Sequence, residues 1–318
     1  MSKRVRGTQF GFLVGLVFLA LAFSAWPTNQ RTAAARLAVS TQQQADDEDQ
    51  ERQLFAKEFL QARSTGMQKR NTQSQRSNSG RVPSTADTAP SMLGITLWRL
   101  RPADKTDETQ GRLLEQEADS EVILIGERVG AETMFQEGQK VRLGVESPRS
   151  GYLYVIDREQ YADGTYSEPY LIFPTLKTRG GDNSVVAGRL VEIPDQDDRP
   201  FYFKMNRHRP DQTGEVLTFI VTPQAIPNLE LSRKALKLTN DQFAQWEQKW
   251  KAPTRRVELA NHAGKAYTKT EMTAGANKTA LLGTADLPPQ IIFRLTGKTT
   301  GAVMVTLPLM YSSSSAEK

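Results

Sequence analysis

From Gly94 onward the chain alternates short apolar runs with clusters of turn formers. GITLWRL opens the series at Gly94. It is followed by EVILIG from Glu121, QKVRLGVES from Gln139, GYLYVIDR from Gly151, EPYLIFPT from Glu168, GRLVEIP from Gly188, RPFYFKMN from Arg199, GEVLTFIVT from Gly214, QIIFRLTG from Gln290 and AVMVTLPLMY from Ala302. Each run is rich in Val, Ile, Leu, Tyr and Phe, the residues that suit a pleated, half-buried surface. Many such strands at near-regular spacing predict an all-β fold, mainly an antiparallel β-sandwich.

The turns carry their own signals. Ser147-Pro148-Arg149-Ser150-Gly151 joins the alternating Val141, Leu143 and Val145 to Leu153 and Val155, and its Pro and Gly predict a reversal. Asp163-Gly164 predicts a second, because Gly accepts the positive φ of a tight hairpin. Arg179-Gly180-Gly181-Asp182-Asn183 predicts a third. Tyr152 to Thr175 therefore reads as two strands with a long connection.

One helix stands out within the folded part. Thr239 and Gln242 form a capping-box pattern, and Phe243, Trp246 and Trp250 follow on one stripe, which predicts a short helix packed on the sheet. Asp241 near its start and Lys249 and Lys251 near its end suit the helix dipole, and Pro253 stops it.

Ahead of the strands the pattern changes twice. Lys3, Arg4 and Arg6 precede an uncharged run from Phe10 to Trp26, so residues 1–26 read as a cleaved signal peptide or, failing cleavage, a membrane anchor. Residues 27–91 are dominated by Gln, Ser, Thr, Asn and Ala and read as a disordered tether. At roughly 45 Å of root-mean-square span, a tether of that length would hold a domain clear of a membrane. Gln50 to Arg63 interrupts it with Leu54, Phe55, Phe59 and Ala62 at helical spacing, which predicts a short, transient amphipathic helix. Residues 92–311 form the expected domain, and 312–318 a disordered tail.

The chain has no cysteine, so an exported domain must be stabilised by burial and not by disulfides. A net charge of +5 reads as solubility with weak polyanion attraction; Arg207, Arg209, Arg255 and Arg256 are its candidate carriers, and no specific nucleic-acid footprint is present.

The candidate chemistry centres on YLYVIDREQYADGTYSEPYLIFPT, Tyr152 to Thr175. Asp157, Glu159, Asp163 and Glu168 fall at positions one, three, seven and twelve of a calcium-loop register, but Ala162 stands where glycine is required and Tyr161 where an acid or amide is expected. The same acids could serve a two-carboxylate hydrolase, for instance on a glycan. The simpler expectation is that they decorate the hairpin and face water. An aromatic and acidic loop of Tyr161, Asp163, Tyr166 and Tyr170 is then the expected binding face. His208 and His262, without a cysteine or a Gly-x-Ser-x-Gly elbow, assemble neither a triad nor a zinc site. Gly180-Gly181 leads into NSVVAGRLVEI, a strand pattern, so it is a turn and no phosphate cradle. Asn277-Lys278-Thr279 fits a short glycosylation sequon.

LGITLWRLRP, ERV, GQKVRLGVESPRSGYLYVIDREQYADGTYSEPYLIFPT, TRGGDN, AGRLVEIP, RPDQTGEVLTFIVTP and VTLPL, spread from Leu93 to Tyr311, resemble members of the bacterial domain of unknown function 4384. The block from Val141 to Asn183 is the most specific part. The resemblance implies an exported bacterial protein, with relatives that join this module to peptidase or kinase domains, and it carries over no catalytic residues. The expectation is thus a periplasmic or extracellular, non-catalytic binding or structural module. It needs no cofactor, its partner is an envelope protein or glycan, and only its N-terminal segment contacts the membrane.

Overall fold

The computed structural model describes residues 49–65, 92–109, 115–116, 122–276, 280–296 and 301–312. The apolar run 10–26, most of 27–91, the sequon and the tail beyond 312 lie outside the described residues. The fold described below belongs to the unit Arg52–Lys318.

This unit is a β-sandwich. One eight-stranded sheet contains β1 (Met92–Pro102), β2 (Glu115–Gln116), β3 (Ile123–Val129), β5 (Lys140–Glu146), β9 (Leu190–Ile193), β10 (Phe203–Lys204), β13 (Thr254–Glu258) and β14 (Ile291–Leu295). The other, seven-stranded, contains β4 (Met134–Phe135), β6 (Gly151–Tyr161), β7 (Tyr170–Phe173), β8 (Ser184–Val185), β11 (Gln212–Thr222), β12 (Leu236–Lys237) and β15 (Val303–Tyr311). Pairing is antiparallel throughout except for β4 on β15. All ten predicted runs contribute strands, although the one at Arg199 supplies only Phe203 and Lys204 to the ladder.

Strand alternation builds the core between the sheets. Leu93, Ile95, Leu97, Leu143 and Val145 on one side meet Leu153, Val155, Leu217, Phe219, Val305 and Leu307 on the other, all buried. At roughly 1.5–3 kcal/mol per fully buried large apolar side chain, this layer supplies the main stabilisation of a disulfide-free domain.

The reversal predicted at Ser147–Gly151 joins β5 and β6, which belong to different sheets, so the turn carries the chain across the sandwich. Asp163-Gly164 does close a hairpin, with Gly164 at φ 82° and β6 paired to β7. The Arg179–Asn183 turn, with Gly180 and Gly181 also at positive φ, returns the chain to pair β8 with β6.

Helices cover the outer faces. The predicted helix is α3 (Asn240–Trp250), where the Thr239 hydroxyl accepts the Gln242 N–H at 3.1 Å and Phe243, Trp246 and Trp250 bury against Tyr154, Ile156 and Ile220. Two shorter helices, α2 (Lys105–Thr109) and α4 (Lys269–Ala276), lack the long apolar stripe that would announce them.

The Gln50–Arg63 segment departs from expectation. It lies in α1 (residues 49–65), and this helix is docked, not transient: Phe55 and Phe59 pack with Met92, Val257, Leu259 and Ile292 on the outside of the eight-stranded sheet, while Leu54 faces solvent. Arg63 anchors the helix end. Fully buried, it pairs with Glu146 at 2.6 Å and donates to the Gly283 carbonyl at 2.8 Å. Tertiary contact supplies what the isolated segment lacks, since helices this short are marginal alone.

Candidate functional site

At one end of the sandwich the inward-facing stripe changes from apolar to acidic. On β6 the stripe Leu153, Val155 continues as Asp157, Glu159 and Tyr161; on β11 the stripe Val221, Phe219, Leu217 continues as Glu215. The register places Glu215 opposite Glu159 and Leu217 opposite Asp157, so Asp157 and Glu215 are diagonal neighbours on one face. Tyr311 extends the Leu307, Leu309 stripe of β15 to the same place.

Between the sheets at this end lies a cavity of about 150 Å³. Val141, Leu143, Ile172, Phe203, Leu217 and Leu309 form much of its wall, and Asp157 and Glu215 supply carboxyl groups to it. Met205 and His208, from the segment after β10, also line it.

Asp157 Oδ1 and Glu215 Oε2 are withdrawn from solvent and receive no N–H or O–H donor among the described residues. The two carboxyl groups are close enough for each to change the other's proton affinity. Two carboxylates this close, with little water to screen them, repel each other, which favours a proton on the pair. Burial is the main cause of the raised proton affinity at both sites. It lifts Glu215 to about 8, helped by the charge of Asp157, and lifts Asp157 to about 6. Near neutral pH the pair as a whole therefore favours holding one proton. The remaining Glu215 oxygen, Oε1, accepts from Tyr311 Oη at 3.0 Å and from Gln212 Nε2 at 2.7 Å. Gln212 Oε1 in turn accepts the His208 N–H at 2.8 Å, which fixes the amide's orientation.

Glu159 forms the rim. Its carboxylate accepts the Tyr161 hydroxyl at 2.7 Å and lies 2.5 Å from His208 Nδ1. Arg207 stacks over the Tyr311 ring at 4.8 Å and donates to the Ser312 carbonyl at 2.6 Å. Arg209 lies over Tyr161 at 3.9 Å and pairs with Asp211 at 2.6 Å. Two of the candidate polyanion-binding arginines are thus engaged at this end, while Arg256 pairs with Glu132 at 2.7 Å elsewhere.

The four acids of the predicted calcium register do not converge. Asp157 and Glu159 belong to strand β6 and point between the sheets. Asp163 caps its own turn, accepting from Thr165 N at 2.9 Å and Oγ1 at 2.6 Å, and Glu168 pairs with Lys237 on the surface. Among the described residues no group of three His, Asp or Glu side chains is placed to hold a metal ion. The expectation that all these acids answer to water fails at Asp157, because it continues the inward-facing alternation of Leu153 and Val155 along β6.

Of the predicted binding face, Tyr166 and Tyr170 are exposed and Asp163 is solvated, whereas Tyr161 is buried with its hydroxyl on Glu159. Arg158 stacks on Tyr166 at 5.0 Å and on Phe243 at 5.3 Å, joining the loop to α3 and not to the cavity. The two histidines have separate surroundings. His208 stands at the rim, and His262 is buried near Arg128, its proton affinity pushed down to about 4 by burial and by that cation.

Glu215 and Tyr311 escaped the sequence reading. Their signal was present: a carboxylate and a phenol, each at the register position where its strand's apolar stripe would next face inward. Comparison of the chain with protein-family models, with curated proteins and with solved structures found no match.

Proposed function

We propose that this chain is an exported, non-catalytic binding module of the bacterial cell envelope, and that the cavity between the sheets is its ligand site. The observation that carries the site is the pairing of a mostly apolar wall with two carboxyl groups at one end. That is the composition of a small-molecule pocket: apolar area for affinity, a few convergent polar groups for orientation. Export is supported by the basic flank and apolar run of residues 1–26 and by the resemblance to the domain of unknown function 4384.

The size of the cavity limits the ligand. A cavity of about 150 Å³ holds a group about the size of a six-carbon ring, so it suits a small ligand or one end of a larger one.

A second reading rests on the shared proton. A carboxyl pair with one protonated and one ionised member is equipped for general acid–base catalysis near neutral pH. The binding reading is preferred because Glu215 is already engaged by Tyr311 and Gln212 and the rest of the lining is mostly apolar.

A thermal-shift screen of the full chain against small amphiphilic compounds tests the proposal. Val141→Phe, which fills the cavity wall, is expected to abolish any stabilising hit while leaving the unliganded protein folded. Hits that survive Val141→Phe would place the ligand elsewhere. Turnover of a hit by the wild type that is lost in Asp157→Asn would replace the binding reading with the catalytic one.

A further inference from the structure

The chemistry of the cavity's acidic end selects among small ligands. Glu215 is nine-tenths buried, and its Oε2, like Asp157 Oδ1 beside it, has no donor among the described residues except the proton they share. Every other polar contact of Glu215 runs to Oε1, from Tyr311 and Gln212. The cavity lining is therefore mostly apolar, with two carboxyl groups whose free oxygens are closed off from water.

We propose that the cavity takes a small alkylammonium ion whose N–H groups replace the proton shared by Asp157 and Glu215. The inference rests on the reading of this cavity as a ligand site. A cation with two or three N–H donors can serve both oxygens at once and brings a positive charge to them. Its alkyl part would meet Val141, Leu143, Leu217 and Leu309.

The surrounding charges permit this. From β6, Asp157 and Glu159 face the site; from β11, Glu215; from β15, the Tyr311 phenol. From the segment after β10 come Lys204, itself exposed, His208 against Glu159, and Arg207 stacked on Tyr311 with one amino group on the Ser312 carbonyl. Arg207 is engaged by the Tyr311 ring and the Ser312 carbonyl, and an anionic ligand would meet two carboxyl groups. The exchange is balanced: the alkylammonium enters with its own protons, and the one held between the two carboxyl groups leaves to buffer. Binding should therefore release up to one proton at pH 7, and affinity should rise with pH between about 6 and 8, where the pair still holds that proton.

Titration calorimetry of the full chain with n-butylammonium and with 1-butanol, in two buffers of different ionisation enthalpy, tests the proposal. The expected result is at least tenfold tighter binding of butylammonium than of butanol at pH 7.5, with proton release in proportion. In Asp157→Asn/Glu215→Gln, which keeps the hydrogen-bonding shape without the charge, the preference and the proton release should both vanish while butanol still binds. Butanol binding as tightly as butylammonium, or butylammonium binding without proton release, overturns the cation assignment and leaves the cavity reading standing. Failure of both compounds to bind overturns the two together.

Discussion

Glu215→Gln is expected to stabilise the protein by roughly 3–5 kcal/mol at pH 9 and to change it little at pH 4. The glutamine keeps the site's geometry: its Oε1 can accept from Tyr311 and Gln212, and its Nε2 can donate to Asp157 Oδ1. What it removes is a titration. In the wild type the acid is raised from its ordinary value of 4.5 to about 8. Below pH 4.5 the group is protonated in both folded and unfolded chains and costs nothing. Between pH 4.5 and 8 the unfolded chain releases a proton that the folded chain retains, so stability falls by about 1.4 kcal/mol per pH unit and the loss is complete above pH 8. Denaturant midpoints of both proteins from pH 4 to 9 measure the difference. Parallel curves would mean that Glu215 is ionised in the folded state.

The second large effect concerns α1. Arg63→Ala should destabilise the domain by about 3–5 kcal/mol, because it leaves the Glu146 carboxylate buried without its guanidinium. Burial already raises the proton affinity of Glu146 against the pull of Arg63, so in the variant the loss should be smaller in mild acid, where Glu146 protonates, than at pH 8. Arg63→Met combined with Glu146→Leu removes both charges and should recover most of the stability. Urea denaturation of the three proteins separates the outcomes. An Arg63→Ala protein with an unchanged midpoint would show that the helix is not held to the sheet in solution.

Both effects arise where local sequence was least informative. The strands were legible because alternation of Val, Ile, Leu and aromatic residues is a local signal, and α3 was legible because its cap and its tryptophan stripe are local too. The destination of the Ser147–Gly151 turn was not. A Pro and a Gly announce a reversal, but the same chemistry serves a hairpin and a crossing between sheets. Docking of α1 was hidden for a related reason: Phe55 and Phe59 predict an amphipathic helix, and the partner face, Met92, Val257 and Ile292, is assembled from strands far along the chain.

The site was half legible. Asp157 and Glu159 stood out as acids among aromatics, but their grouping with Asp163 and Glu168 followed sequence proximity. The structure instead groups Asp157 with Glu215, 58 positions away (215 − 157), through the β6–β11 register. Carrying each apolar stripe forward to its first polar residue would have found Asp157, Glu215 and Tyr311 individually. Which of them meet depends on register, and register is set by long-range pairing.

The most direct test of the shared proton is an infrared titration of the carboxylic-acid carbonyl band with Glu215→Gln as the reference. The wild type should show a protonated carboxyl at pH 7 that persists to about pH 8 and is missing from the variant. A wild-type spectrum at pH 7 with every carboxyl ionised would contradict the proton-sharing pair, and with it the cavity chemistry built on Asp157 and Glu215.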